Sequence, residues 1–205
     1  MNSNLSREYI MSWRKLERRR LIENRVAIDA ATRQKHADDI AAKLSNLIGN
    51  FPGRIISAYW PFRGEPDLRR WMENLPDLGR SCALPVVVEK NAPMKFRIWR
   101  KGDKLAPGVW NIPVPAGGDD VTPDVVIAPL VGFDTACYRL GYGGGYFDRT
   151  IASTSPRPLV IGVGYAGSFI ETINPLPHDI PMDLIVTDHE VYSPLTRSTS
   201  DHDMP

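Results

Sequence analysis

Between residues 10 and 50 the apolar residues return every three or four positions; beyond that they come in short runs separated by turn formers. Trp13, Leu16, Leu21, Ile22 and Val26 recur at roughly helical spacing among basic residues. Asp29 suits the N-cap of a second helix that carries Ile40, Leu44, Leu47 and Ile48 and closes at Gly49. Strands and helices then alternate. Arg54–Tyr59 and Ser81–Val88 read as strands, with a helix over Asp67–Asn74 introduced by Pro66. Met94–Trp99 alternates apolar and polar, as a half-buried strand does. A connection rich in proline and glycine, Pro107 to Pro123, leads to a buried strand at Val125–Val131. A helix from about Gly145 to Ala152 and strands at Leu159–Gly164 and Leu184–Thr187 complete the series. This alternation predicts an α/β layered sandwich. Its mostly parallel sheet is flanked by helices, the N-terminal helical segment packs on it, and ligands meet the carboxyl ends of the strands.

The 205 residues suit a single domain with its ordered core over about 10–190 and flexible ends at 1–9 and 192–205. A net charge of +1 argues against a polyanionic partner, and no apolar run approaches the length of a membrane span. Cys82 and Cys137 have neither metal spacing nor the numbers of a disulfide framework. A cytoplasmic protein with reduced thiols, a monomer or homodimer with no nucleic-acid or membrane partner, is the expectation.

The densest chemistry lies at Arg139-Leu-Gly-Tyr-Gly-Gly-Gly-Tyr-Phe-Asp148-Arg149. Glycines at 141, 143, 144 and 145 leave bare amides at the opening of a helix, which favours an anion. Arg139 can add a forked cation, and Asp148 can hold magnesium beside a phosphate. Arg14 and Arg18, at i and i+4, form either a cationic clamp or a solvated face. Glu65, between aromatic residues and prolines in Tyr59-Trp-Pro-Phe-Arg-Gly-Glu65-Pro-Asp67, suits a flat nitrogen-rich heterocycle, or else a tight turn. Asp179 or Asp183 could complete a magnesium site, Asp183 being more naturally a turn residue ahead of a strand. Met94-Lys-Phe96 and Trp99 read as packing. Gly162-Val-Gly164-Tyr-Ala-Gly167 matches a dinucleotide fingerprint, but Pro175 and Pro177 stop the long helix that the fingerprint needs. Lys95, Arg97, Arg100, Lys101 and Lys104, with the arginine-rich N-terminal helix, keep an RNA-binding alternative in view.

In this order the segments resemble the 5-formyltetrahydrofolate cyclo-ligase family, also called methenyltetrahydrofolate synthetase. The likeness runs from about Trp13 to Thr187 and includes Pro129-Leu-Val-Gly-Phe-Asp134; the glycine-rich motif is its most specific part. The resemblance implies cyclisation of 5-formyltetrahydrofolate with ATP and Mg²⁺. Arg139, Leu140, Gly141, Tyr142, Gly143, Gly144, Gly145, Tyr146 and Phe147 would contact ATP, with Arg14 and Arg18 at its phosphates. Trp60, Glu65, Tyr142 and Tyr146 would line the folate pocket. Asp148 and Asp179 would sit at the metal, and Arg139, Tyr146 and Asp148 would carry the catalysis. The chain departs from many members at Arg14 and Gly144, where they carry lysine, and at Val114, where they often carry glutamate. A nucleotide- or pterin-binding paralogue without cyclo-ligase activity is the alternative.

Overall fold

The protein is described by a computed structural model covering residues 5–49 and 51–194. Helix α1 (Arg7–Ala27) starts where the Ser6 side chain accepts from the Tyr9 amide, within the stretch expected to be a flexible end. Helix α2 (Ala30–Gly49) follows, with Asp29 accepting from the Thr32 amide and hydroxyl at 2.9 and 2.7 Å, the expected cap. Then come β1 (Ile55–Ser57), α3 (Arg69–Asn74), β2 (Ser81–Val86) and β3 (Lys95–Trp99). The proline-rich connection contains a small hairpin of β4 (Leu105–Pro107) and β5 (Pro113–Pro115), then β6 (Asp120–Val121). Strand β7 (Val125–Pro129) leads to a second hairpin, β8 (Gly132–Phe133) and β9 (Arg139–Leu140), then α4 (Tyr146–Ser153). Strands β10 (Leu159–Val163), β11 (Leu184–Val186) and β12 (Val191–Tyr192) close the chain; the remainder of the end expected to be flexible lies outside the described residues.

Eight strands form one sheet in the order β12-β11-β10-β7-β1-β2-β3-β6. The five from β11 to β2 are parallel, and the antiparallel edges β12, β3 and β6 flank them. Alternation along β7 sorts the core. Val125 and Ile127 pack beneath α2 and α3 with Ile40, Leu44, Leu68 and Met72, while Val126 and Ala128 face Ile151 of α4. Helix α1 packs through Leu21 against Val131, Leu140, Ile170 and Ile173. From β1 the chain crosses to β2 on one side and later to β7 on the other. The carboxyl ends of β1 and β7 are therefore a topological switch point, where open α/β sheets form their crevices. No helix among the described residues is long and apolar enough to cross a membrane.

Candidate active site

A cleft opens over this switch point. It is walled by residues after β1 and β2, by the glycine turn, by α1 and by the segment around Trp110. Behind its polar wall lies Asp134, whose buried carboxylate accepts from the Ala136 and Tyr138 amides at 3.1 Å and from the Ile173 amide at 3.0 Å. That knot reverses the chain between β8 and β9 and delivers Arg139 to the base of the turn. Arg139 is buried, donates to Asp148 at 2.9 Å and lies 5.1 Å over the Phe147 ring, while its Nε has no partner among the described residues. A Cβ on Gly141 would come within 2.6 Å of Arg139 Nη1, so any other residue here would push this guanidinium from its place. Gly145 caps α4 at φ 63°, a left-handed conformation that glycine adopts without strain. Asp148 stands in the first turn of α4, where the helix dipole favours its charge, and accepts from the Ile180 amide at 3.3 Å.

The two expected clamp arginines part ways. Arg14 is buried and fully engaged. It donates to the Ile173 and Asn174 carbonyls at 3.0 and 2.9 Å and grips both oxygens of Asp179 at 3.3 and 2.5 Å. Arg18 donates only through Nε, to the Gly141 carbonyl at 2.7 Å; its terminal nitrogens have no partner among the described residues and lie against Gly143. Burial and the neighbouring Arg14 lower the Arg18 pKa, and Asp179 partly restores it. Hydrogen bonds from Arg14 and the Leu176 amide hold the Asp179 carboxyl below the usual range against the opposing effect of burial. Thus each carboxylate expected at magnesium is ion-paired with an arginine, and no group of three metal-ligating side chains gathers among the described residues.

The opposite wall is aromatic. Phe62 and Trp110 stack at 6.1 Å, and Tyr142 meets both edge-on at 5.7 and 5.8 Å. Trp60 stands edge-on to Trp99 at 5.8 Å. Glu65 is 5 % exposed among these rings. Its Oε2 accepts from the Phe62 amide at 2.9 Å, and its Oε1 is buried with no partner among the described residues. Burial lifts the Glu65 carboxyl to about 7, with Arg25 and the Phe62 amide pulling the other way. Tyr146 lies beneath the Arg149 guanidinium, 5.2 Å from its ring, and Arg149 also donates to the Gly144 carbonyl at 2.5 Å. Leu140 and Phe147 border the cleft, yet they are largely core: Leu140 packs with Leu21, and Phe147 joins the cluster under α4.

Sequence reasoning missed Arg25 and Trp110. Arg25 lies eleven residues after Arg14, so both fall on one helical face; that spacing was the available signal. Trp110 adopts φ 57° in a proline-rich loop, where no periodicity marks it. Met94, read as packing, is buried and also borders the cleft. Asp183 is the expected turn residue, accepting from the Val160 amide at 2.7 Å and pairing with Arg157. Two of the fingerprint glycines belong to packing: a Cβ on Gly162 would meet Ile185 at 3.1 Å and one on Gly164 would strike Leu130 at 2.3 Å, while Gly167 faces open space in a short 3₁₀ turn over Ala166–Ser168. Of the basic residues behind the RNA alternative, Lys95 and Arg97 pair with Asp120, and Lys101 with Glu73.

These features define an α/β enzyme with a polar, glycine-lined wall and an aromatic wall facing one cleft. The family model for the 5-formyltetrahydrofolate cyclo-ligase family matches residues 10–188. A 5-formyltetrahydrofolate cyclo-ligase from Mycolicibacterium smegmatis is 29% identical over 179 residues, covering 82% of this chain and 89% of that protein. One from Escherichia coli is 27% identical over 177 residues, covering 83% and 97%. The solved 5,10-methenyltetrahydrofolate synthetase from Aquifex aeolicus superposes with a TM-score of 0.77 at 26% identity, over 92% of this chain and 96% of that one. The chain belongs to the 5-formyltetrahydrofolate cyclo-ligase family.

Proposed function

We propose that the protein converts 5-formyltetrahydrofolate and ATP into 5,10-methenyltetrahydrofolate, ADP and phosphate. The observation that carries this reading is the buried Glu65 carboxyl group, with one oxygen unpartnered among the described residues, set among aromatic rings in the same cleft as the glycine turn. Such an oxygen accepts from the ring nitrogens and amino group of a pterin, whose faces Phe62, Tyr142 and Trp110 can cover. The triphosphate lies along the glycine amides, with the free nitrogens of Arg18 and the Arg139 guanidinium beside it.

An amide oxygen is a poor leaving group. The formyl oxygen therefore attacks the γ-phosphorus, and the bond to the β-phosphate oxygen breaks to release ADP. The anilino nitrogen attacks the resulting iminium phosphate, its proton is lost, and the carbon–oxygen bond breaks to free phosphate. Positioning and charge neutralisation suffice for these steps, and no protein nucleophile is needed. Arg139 and the turn amides neutralise charge on the transferring group, while Tyr142 and Tyr146 offer ring faces to the product cation. Magnesium would be held by Asp148 and Asp179. Both border the cleft, and Asp148 is the freer donor because the Arg14 fork already takes both Asp179 oxygens. When bound, the ion neutralises phosphate charge.

Mixing the protein with 5-formyltetrahydrofolate, Mg²⁺ and ATP should produce the near-ultraviolet absorbance of the methenyl cation, dependent on ATP and lost by several orders of magnitude in rate in Asp148→Ala. Absence of that signal while ATP still binds by calorimetry would instead favour a nucleotide-binding paralogue, with Gly144 and Val114 the residues to question.

A further inference from the structure

Arg25 does not line the cleft, yet from behind its walls the guanidinium reaches three separate pieces of the site. Nε donates to the Arg63 carbonyl at 2.9 Å, Nη1 to the Leu130 carbonyl at 3.1 Å, and Nη2 to the Tyr142 hydroxyl at 2.5 Å. Those partners belong to the turn that carries Glu65, to the exit of β7, and to the glycine turn. The side chain is 3 % exposed, an expensive place for a cation without a task. The Glu65 turn is also strained: Arg63 holds φ 47° and Gly64 φ 76°, and a non-glycine residue stays in that region only when its surroundings fix it. Tyr165 adds a bond to the Gly64 carbonyl at 3.1 Å, and Tyr59 one to the Pro66 carbonyl at 2.9 Å.

Building on the function proposed above, we infer that Arg25 is a positioning residue for the folate site. It locks the Glu65 turn to the glycine turn and places a buried positive charge beside the Glu65 carboxyl. The groups facing Glu65 are Arg25 from α1, Tyr142 from the glycine turn, Tyr59 from the end of β1 and Tyr165 after β10; Arg33 of α2 lies over Gly64. Arg25 is the charged member of this set that acts directly against the upward push of burial on Glu65. Loss of its charge moves Glu65 further up, into the range where the carboxylate is protonated at neutral pH.

The test compares Arg25→Gln and Arg25→Lys with the wild-type chain, measuring kcat and KM for 5-formyltetrahydrofolate and for ATP across pH. Arg25→Gln should raise the folate KM at least about tenfold and shift the midpoint of its pH dependence upward by about one unit or more. Its ATP KM should change little. Arg25→Lys should restore the midpoint through its charge, while folate KM stays elevated, because an ammonium cannot serve three carbonyl and hydroxyl acceptors in a fork. A folded Arg25→Gln variant with an unchanged midpoint and folate KM would overturn the inference. Should that variant not fold, Arg25→Lys decides: an unchanged folate KM overturns the role, and a raised KM at the wild-type midpoint supports it. A wild-type chain that forms no methenyl product refutes the function reading instead. Folate binding, followed by tryptophan fluorescence across pH in the same variants, then judges Arg25 by itself.

Discussion

Glu65 shows how a single side chain divides its cost between stability and recognition. Its folded carboxyl titrates at about 7 against the 4.5 of an unperturbed glutamate, because burial disfavours the charge. Between those values the folded state keeps a proton that the unfolded chain has released, so stability falls as pH rises through this window. The loss is complete above about 7 and amounts to roughly 3 kcal/mol at 1.36 kcal/mol per unit. Glu65→Gln, which has no charge to bury, should melt later than wild type above about pH 7 and lose that advantage towards pH 4.5. The same variant should raise the folate KM about 10–100-fold, because its amide presents donors to donors. ATP binding should be nearly intact; equal loss of both substrates would contradict the assigned role. At this scale the sequence offered candidate chemistry by residue type, as with Glu65 and Arg139, which the structure brings into one cleft. It was silent on partners: nothing in Arg14 or Asp179 says that they will find each other across 165 positions.

Helix α1 carries the same lesson at the level of an element. Leu16 and Val26 of its apolar repeat are 70% and 51% exposed, and the inner face is Ile10, Arg14, Leu21 and Arg25. The reason lies in what the helix covers. Arg14 and Arg25 of that face meet backbone carbonyls where loops leave the sheet, and those carbonyls call for donors rather than methyl groups. The helix itself was readable from its period, whereas the β4–β5 and β8–β9 hairpins were not. Strands of two or three residues, here with proline at 107, 113 and 115, are too short for alternation to show. Neighbouring arginines on α1 should therefore fail differently. Arg14→Met strands the Asp179 charge and should cost about 3–5 kcal/mol in urea unfolding. Arg18→Ala should leave unfolding nearly unchanged while lowering kcat/KM for ATP by about 2–4 kcal/mol, or 30- to 1000-fold. Equal destabilisation by the two substitutions would show that Arg18, too, is structural.

Across the whole molecule, the alternation of strands and helices anticipated the parallel centre of the sheet and the placing of the cleft at the strands' carboxyl ends. The strand order was beyond it, since pairing depends on contacts that no local pattern records. A cleft built by so many elements should couple occupancy to global stability. Saturation to about a hundred times Kd adds close to 2.7 kcal/mol for each ligand, so a non-hydrolysable ATP analogue and 5-formyltetrahydrofolate should each raise the melting temperature. Asp148→Ala should lose the nucleotide's share and keep the folate's; loss of both shifts would remove Asp148 from the phosphate end. The long reach of α1 also bears on how the chain is made. Its arginines find their acceptors 105, 123 and 159 residues further on, at Leu130, Gly141 and Ile173. Helix α1 precedes all of these acceptors in the chain and is thus among the last elements to complete its contacts. A chain halted before Ile173 would hold Arg14 with nothing to grip, so the nascent protein carries this buried cation without its acceptors until the segment after β10 has been synthesised.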